Sequence, residues 1–207
     1  MMLPKGLLDI FRKRPAIRSQ QELAQFIDEN AAFLVQKGIY EYSRARAGHY
    51  AKILFREPEF AEALDRSRWA AFPLGLAMVA EVVEGILRPL ADEPASQLEA
   101  LAALTLSVLD RYPVPASQSK DRWSEARAEL ARRLQLIGQH PPKRAFDIPE
   151  PFAKAYFDLM PIHKSLRTAE YPTLHNYLKV TLCNIHDELT QRLDAESVIS
   201  SLRAGAR

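Results

Sequence analysis

A chain of 207 residues that is 47% hydrophobic carries enough apolar side chains for one sizeable core, which excludes intrinsic disorder as a class. Its 28 lysines and arginines face 26 aspartates and glutamates, so a pI near 8.7 reflects a surplus of +2 and not the concentrated basic face of a nucleic-acid binder. The single cysteine, Cys183, excludes an internal disulfide and any multi-cysteine metal site, and it fits a reducing, cytoplasmic compartment.

Seven glycines are few for the tight turns of a sheet protein, and most of the 14 prolines fall between apolar stretches. Alanine, leucine, glutamate and arginine are abundant, and each loses little side-chain freedom in a helix. The expected fold is all-α: a single-domain irregular bundle of about seven to eight helices. No apolar run reaches the roughly 18 residues of a membrane span, so no transmembrane segment is expected.

Residues 1–18 suggest a flexible leader, basic and amphipathic, with Leu7, Leu8, Ile10 and Phe11 among Lys5, Arg12, Lys13 and Arg14. Residues 7–14 offer contact with a membrane surface, but the simpler reading is a flexible terminus. The helical domain is expected over 19–203, with 204–207 a frayed tail. Ser19 and Glu22 have capping-box spacing, and Leu23, Phe26, Ile27, Ala31 and Leu34 repeat at helical spacing up to Gly38, a candidate C-terminal cap. A second helix is expected from Ile39 to Arg56, stopping before Pro58.

A short helix follows Pro58, and Pro73 restarts the chain into PLGLAMVAEVVEGILRPL. Ser96 and Glu99 give a second capping-box pattern, opening a helix to Arg111. After the loop PVPASQSK, an amphipathic helix from Asp121 buries Trp123, Ala126, Leu130, Leu134 and Ile137, and Gly138 ends it. The stretch QHPPKRAFDIPEP suggests a long loop within the domain. Helices are expected from Glu150 to Met160 and from Thr173 to Leu193, the latter lined by Leu174, Leu178, Leu182, Ile185 and Leu189, with a further short helix from Asp194 before the chain frays at Ala204 and Gly205.

Chemical motifs are sparse. There is no GxGxxG, Walker A, GxSxG or HExxH pattern, no Glu-x-x-His, and no helix-turn-helix can be placed at the N-terminus. What remains is a polar set in apolar surroundings. Tyr42, Arg46, His49 and Tyr50 share a face of the second helix, with Arg44 close by. Glu81 and Glu84 share a face of a helix that is otherwise apolar nearly all round, and Arg88 lies in the favourable position for an ion pair with Glu84.

A buried carboxylate needs a partner. Arg44, Arg46 or His49 is therefore expected to pair with Glu81 or Glu84, as a structural network or, alternatively, as a ligand or catalytic pocket.

His163, His175 and His186 are the metal candidates. His175 and His186 share a helix but sit ~16 Å apart at about 1.5 Å per residue, so one ion cannot take both. No metal and no cofactor is expected. Tyr156, Tyr171, Tyr177, Phe152 and Phe157, interleaved with cations, fit core aromatics better than a base-stacking surface.

The expected function is a non-catalytic cytoplasmic adaptor, regulator or chaperone that binds another protein, with a homo-oligomer as one form of that. The alternative is an enzyme or small-ligand binder with an interhelical pocket lined by Tyr42, Arg46, His49, Glu81 and Glu84. A nucleic-acid-binding regulator ranks third, since only modest basicity supports it.

Overall fold

Ser19 opens the first helix as its spacing predicts. In the computed structural model, which describes residues 15–161 and 167–205 (side chains of 162–169 excepted), its hydroxyl accepts from the Glu22 amide. The Glu22 carboxylate accepts in return from the Ser19 amide at 3.1 Å. Helix α1 (Gln20–Gln36) buries Leu23, Phe26, Ile27, Ala31 and Leu34, the predicted stripe.

Gly38 does not end this helix. The chain widens into a π turn (Lys37–Glu41) and continues as α2 (Tyr42–Ala47). Gly38 is small because the Tyr156 hydroxyl occupies the place of a side chain. The break falls ten residues later, at Gly48, with φ 53° and ψ −127°, a backbone only glycine adopts readily. A 3₁₀ turn (Gly48–Tyr50) and the short α3 (Ala51–Leu54) follow. The expected continuous second helix is thus two pieces.

Pro73 does not restart the chain either. It lies inside α4 (Pro58–Leu87). A proline there removes one main-chain bond and costs about 3 kcal/mol in an exposed helix. Here every residue from Ala71 to Glu84 is buried, and packing against α1, α5 (Pro94–Asp110), α6 (Lys120–Ile137) and α8 (Arg167–Arg192) holds the helix through it. Helix α4 is long and apolar enough to cross a membrane by composition alone, but 83% of its most apolar window is buried among the surrounding helices. Gly75 lets α1 approach: a Cβ there would lie 3.2 Å from the Ala31 carbonyl oxygen and 3.1 Å from Val35 Cγ2.

Pro94, at the first helical position, sets the start of α5, so Ser96 sits inside the helix and does not cap it. Ser119 caps α6, which buries Trp123, Leu130, Leu134 and Ile137. Helices α7 (Ala153–Asp158) and α9 (Ala195–Gly205) close the bundle. The α8 stripe of Leu174, Leu178, Leu182, Ile185 and Leu189 is buried. The chain is all-α, and the only β-type pairing among the described residues is one isolated bridge.

That bridge corrects the expected leader. Ile17 is 1% exposed, donates to the Arg192 carbonyl at 2.8 Å and accepts from the Asp194 amide at 2.9 Å. Its side chain fills the core at the α8–α9 corner, so the packed part of the chain begins before residue 19. At the other end α9 runs through Ala204 and Gly205, which the expected frayed tail included. Residues 7–14, the expected membrane contact, lie outside the described residues.

Candidate functional site

Two regions of α4 concentrate the chemistry. In its C-terminal half, Glu81 and Glu84 are each 4% exposed. Lys143 Nζ donates to Glu81 Oε1 at 2.8 Å, and His140 Nε2 lies 3.7 Å from the same oxygen. Arg88 pairs with Glu84 one turn on, as their spacing implies. The remaining Arg88 donors reach the carbonyls of His140 at 2.6 Å and Ile137 at 2.8 Å. One guanidinium thus neutralises a buried carboxylate and satisfies a carbonyl at the end of α6 that no helical amide can reach. Burial pushes the Glu84 carboxyl above its ordinary range, with Arg88 pulling the other way.

These contacts fasten the 139–152 loop to the core. Its far end is held by Lys179, whose Nζ lies 2.6 Å from Glu150 and 4.5 Å from the Phe146 ring centre. That hydrogen bond keeps the Glu150 carboxyl below its usual range. His175 Nε2 lies 3.4 Å from Glu150, and its ring stacks on Tyr171.

The expected partners of Glu81 and Glu84 are elsewhere. Arg46 pairs with Glu170 on α8. Arg44, His49 and Tyr50 are exposed, and the Tyr42 hydroxyl is buried with no hydrogen-bond partner among the described residues. Gly48 interrupts the stripe on which Tyr42, Arg46, His49 and Tyr50 were aligned, and α2 contributes no buried residue. The carboxylates instead face the loop, 62 positions on in the case of Lys143, where no periodicity marks the contact.

Among the metal candidates, His186 sits beside Asp187 at 3.3 Å, and His163 lies outside the described residues. The described residues contain no group of three or more His, Cys, Asp or Glu side chains placed to hold an ion. The tyrosines of the last quarter face inward. The Tyr177 hydroxyl donates to the Leu34 carbonyl at 3.0 Å, and Tyr156 is wholly buried against Leu34 and Val35 beside the π turn.

The second region is the N-terminal half of α4, where the surface opens into a groove of about 460 Å³ between α1, α4 and the end of α5. Trp69, Phe72 and Tyr112 form its floor. The Trp69 ring centre lies 5.3 Å from Tyr112, 5.9 Å from Phe72 and 6.0 Å from Trp123, all edge-on. Phe33, on α1, stands at the mouth and is 49% exposed. Glu29, Gln36 and Arg68 line the rim.

The groove is held firmly. Arg68 lies over Trp69 at 4.7 Å and donates to Asp65 at 2.7 Å, while its Nε is buried without an acceptor. Tyr112 donates to Asp28 Oδ1 at 2.7 Å, and burial together with that bond pushes its phenol up to about 12.

Helical spacing places Trp123 on the inner face of its helix but singles out none of Trp69, Phe33 and Tyr112. The signal for Phe33 was available: it lies off the buried stripe of α1, so an aromatic side chain there faces outward.

Among the described residues Arg46 is paired with Glu170 and not with Glu81 or Glu84, and none of Tyr42, Arg46, His49, Glu81 and Glu84 lines the groove or two other cavities, at α1–α5–α9 and beside Leu90 and α9. No protein-family model, curated protein or solved structure matches the chain.

Proposed function

We propose that this chain is a non-catalytic cytoplasmic adaptor, regulator or chaperone that binds an apolar segment of another protein in the Phe33–Trp69–Phe72–Tyr112 groove. The observation that carries this reading is the groove itself: an aromatic floor, an exposed aromatic at its mouth and a rim bearing Glu29, Gln36 and Arg68. Protein interfaces are built this way, with aromatic and arginine anchors at the centre and polar groups around them. The acid–base groups support it from the other side, because Glu81 and Glu84 are engaged by Lys143 and Arg88 and have no substrate-sized space beside them in the cavities described.

A second reading rests on the volume, which lies within the range of small-ligand pockets, about 300–1,000 Å³. Affinity capture from native lysate, with mass spectrometry of proteins and small molecules, separates the two. The protein-binding reading expects a discrete set of proteins held by the wild type and lost with Phe33→Ser. Capture indifferent to that change, or a small molecule alone, overturns it.

A further inference from the structure

Between Gly48 and Glu57 the chain presents two unlike faces. Ala51 is buried, Leu54 and Phe55 are half-buried, and the Phe55 ring packs edge-on against Tyr40 at 6.2 Å and Phe60 at 5.4 Å. On the other side His49, Lys52, Ile53 and Arg56 recur at i, i+3, i+4 and i+7, the spacing of one helical face, with Tyr50 one turn before Ile53. Tyr50 is 70% exposed and Ile53 62%, the two most exposed large apolar side chains among the described residues. Single exposed apolar residues are ordinary. Two adjacent ones on a cationic turn are not.

The charge nearest them is positive, with acidic side chains beginning at Glu41 on one side and at Glu57 and Glu59 on the other. From Tyr42 through Arg56 there is no aspartate or glutamate, while Arg44, Arg46, Lys52 and Arg56 are present. Arg46 is engaged with Glu170 and ties this elbow to α8. Arg44, Lys52 and Arg56 are exposed and meet no carboxylate among the described residues. Gly48 ends α2 and begins the elbow, with no neighbour within 4 Å of the position a Cβ would take.

The geometry points to an anionic phospholipid surface as the partner of this elbow. Lysine and arginine are drawn to acidic headgroups, and the attraction falls off within a Debye length. Tyrosine favours the boundary between headgroup and hydrocarbon, and an exposed aliphatic side chain gains by entering the acyl region. A nucleic acid would engage the cations and stack on Tyr50, but it gives Ile53 nothing to bury against. The pairing of Ile53 with the cations is what favours lipid.

The test is co-sedimentation of the full chain with vesicles of phosphatidylcholine alone or mixed with phosphatidylserine, with a duplex oligonucleotide as competitor. The wild type is expected to bind the mixed vesicles only, and less as salt rises. The double variant Tyr50→Ser, Ile53→Ser is expected to lose about tenfold or more in partitioning, as the loss of buried apolar area implies. Lys52→Glu, Arg56→Glu is expected to lose a similar amount with an unchanged melting temperature, since both positions are exposed. Deleting residues 2–14 separates the elbow from the basic N-terminal segment and is expected to leave the elbow-dependent part of binding in place. No binding to mixed vesicles, binding that survives both elbow variants, or full displacement of the vesicles by the duplex oligonucleotide each overturns the proposal.

Discussion

The C-terminal half of α4 carries two carboxylates and closes them off, whereas the N-terminal half carries the rings of Trp69 and Phe72, which line a groove that opens past Phe33 of α1. Glu81 and Glu84 are each 4% exposed and are met by Lys143 and Arg88, while Phe33, across from Trp69 and Phe72, is 49% exposed. The carboxylates look like chemistry in the sequence but act as fasteners for the 139–152 loop. The aromatic residues look like core in the sequence, and they frame the groove. A charged group inside an apolar helix indicates that a partner must exist; it does not indicate a substrate. An aromatic side chain off the buried stripe is the more direct pointer to a site.

If the fastening is structural, breaking it should affect stability most. Glu84→Ala leaves Arg88 without its carboxylate and is expected to cost about 3–5 kcal/mol, read by thermal or denaturant melting. An unchanged melt would show that the pair is dispensable. Next in size is the close approach that lets α1 bury the upper part of α4. Gly75→Val drives a branched side chain against the Ala31 carbonyl, and about 1–3 kcal/mol is expected.

A spectroscopic effect follows on the groove side. The Tyr112 phenol should ionise near 12, and Asp28→Asn should bring that value down, because the Asp28 hydrogen bond is one of its causes after burial. Its folded-state value lies above the unfolded one. The stability it contributes is therefore fully present below the ordinary tyrosine value and is lost as pH rises through about 12. The smallest stability effect belongs to the residue with the largest proposed functional one. Phe33→Ser should change stability by about 0.5 kcal/mol or less, as exposed substitutions do. A large destabilisation would make Phe33 a packing residue and weaken the contrast between the two halves.

Much of the fold was legible locally. The Ser19–Glu22 cap and the α1 and α8 stripes follow from spacing and appear as spaced, as does the inner face of α6 apart from Ala126, which is half-buried. The Glu84–Arg88 pair was legible for the same reason, being one turn apart on one helix. What could not be read depended on tertiary packing. Pro73 stays helical because helices surround α4, and Lys143 reaches Glu81 from an aperiodic loop. The misaligned stripe of Tyr42, Arg46, His49 and Tyr50 had a local warning in Gly48, since a glycine inside a helical pattern often marks its end. The groove was least legible of all, because Phe33, Trp69 and Tyr112 come from α1, α4 and the turn after α5, and no spacing along the chain connects them.

Whether the groove binds another protein is decided by replacing Phe33 with a photoreactive aromatic residue, irradiating in native lysate and identifying the products. Leu136, which is 38% exposed and not among the groove residues, is the control position. Discrete protein crosslinks from position 33 that are missing from position 136 are the predicted result. Identical products from both positions, or none from position 33, would contradict the assignment of the groove as the binding site.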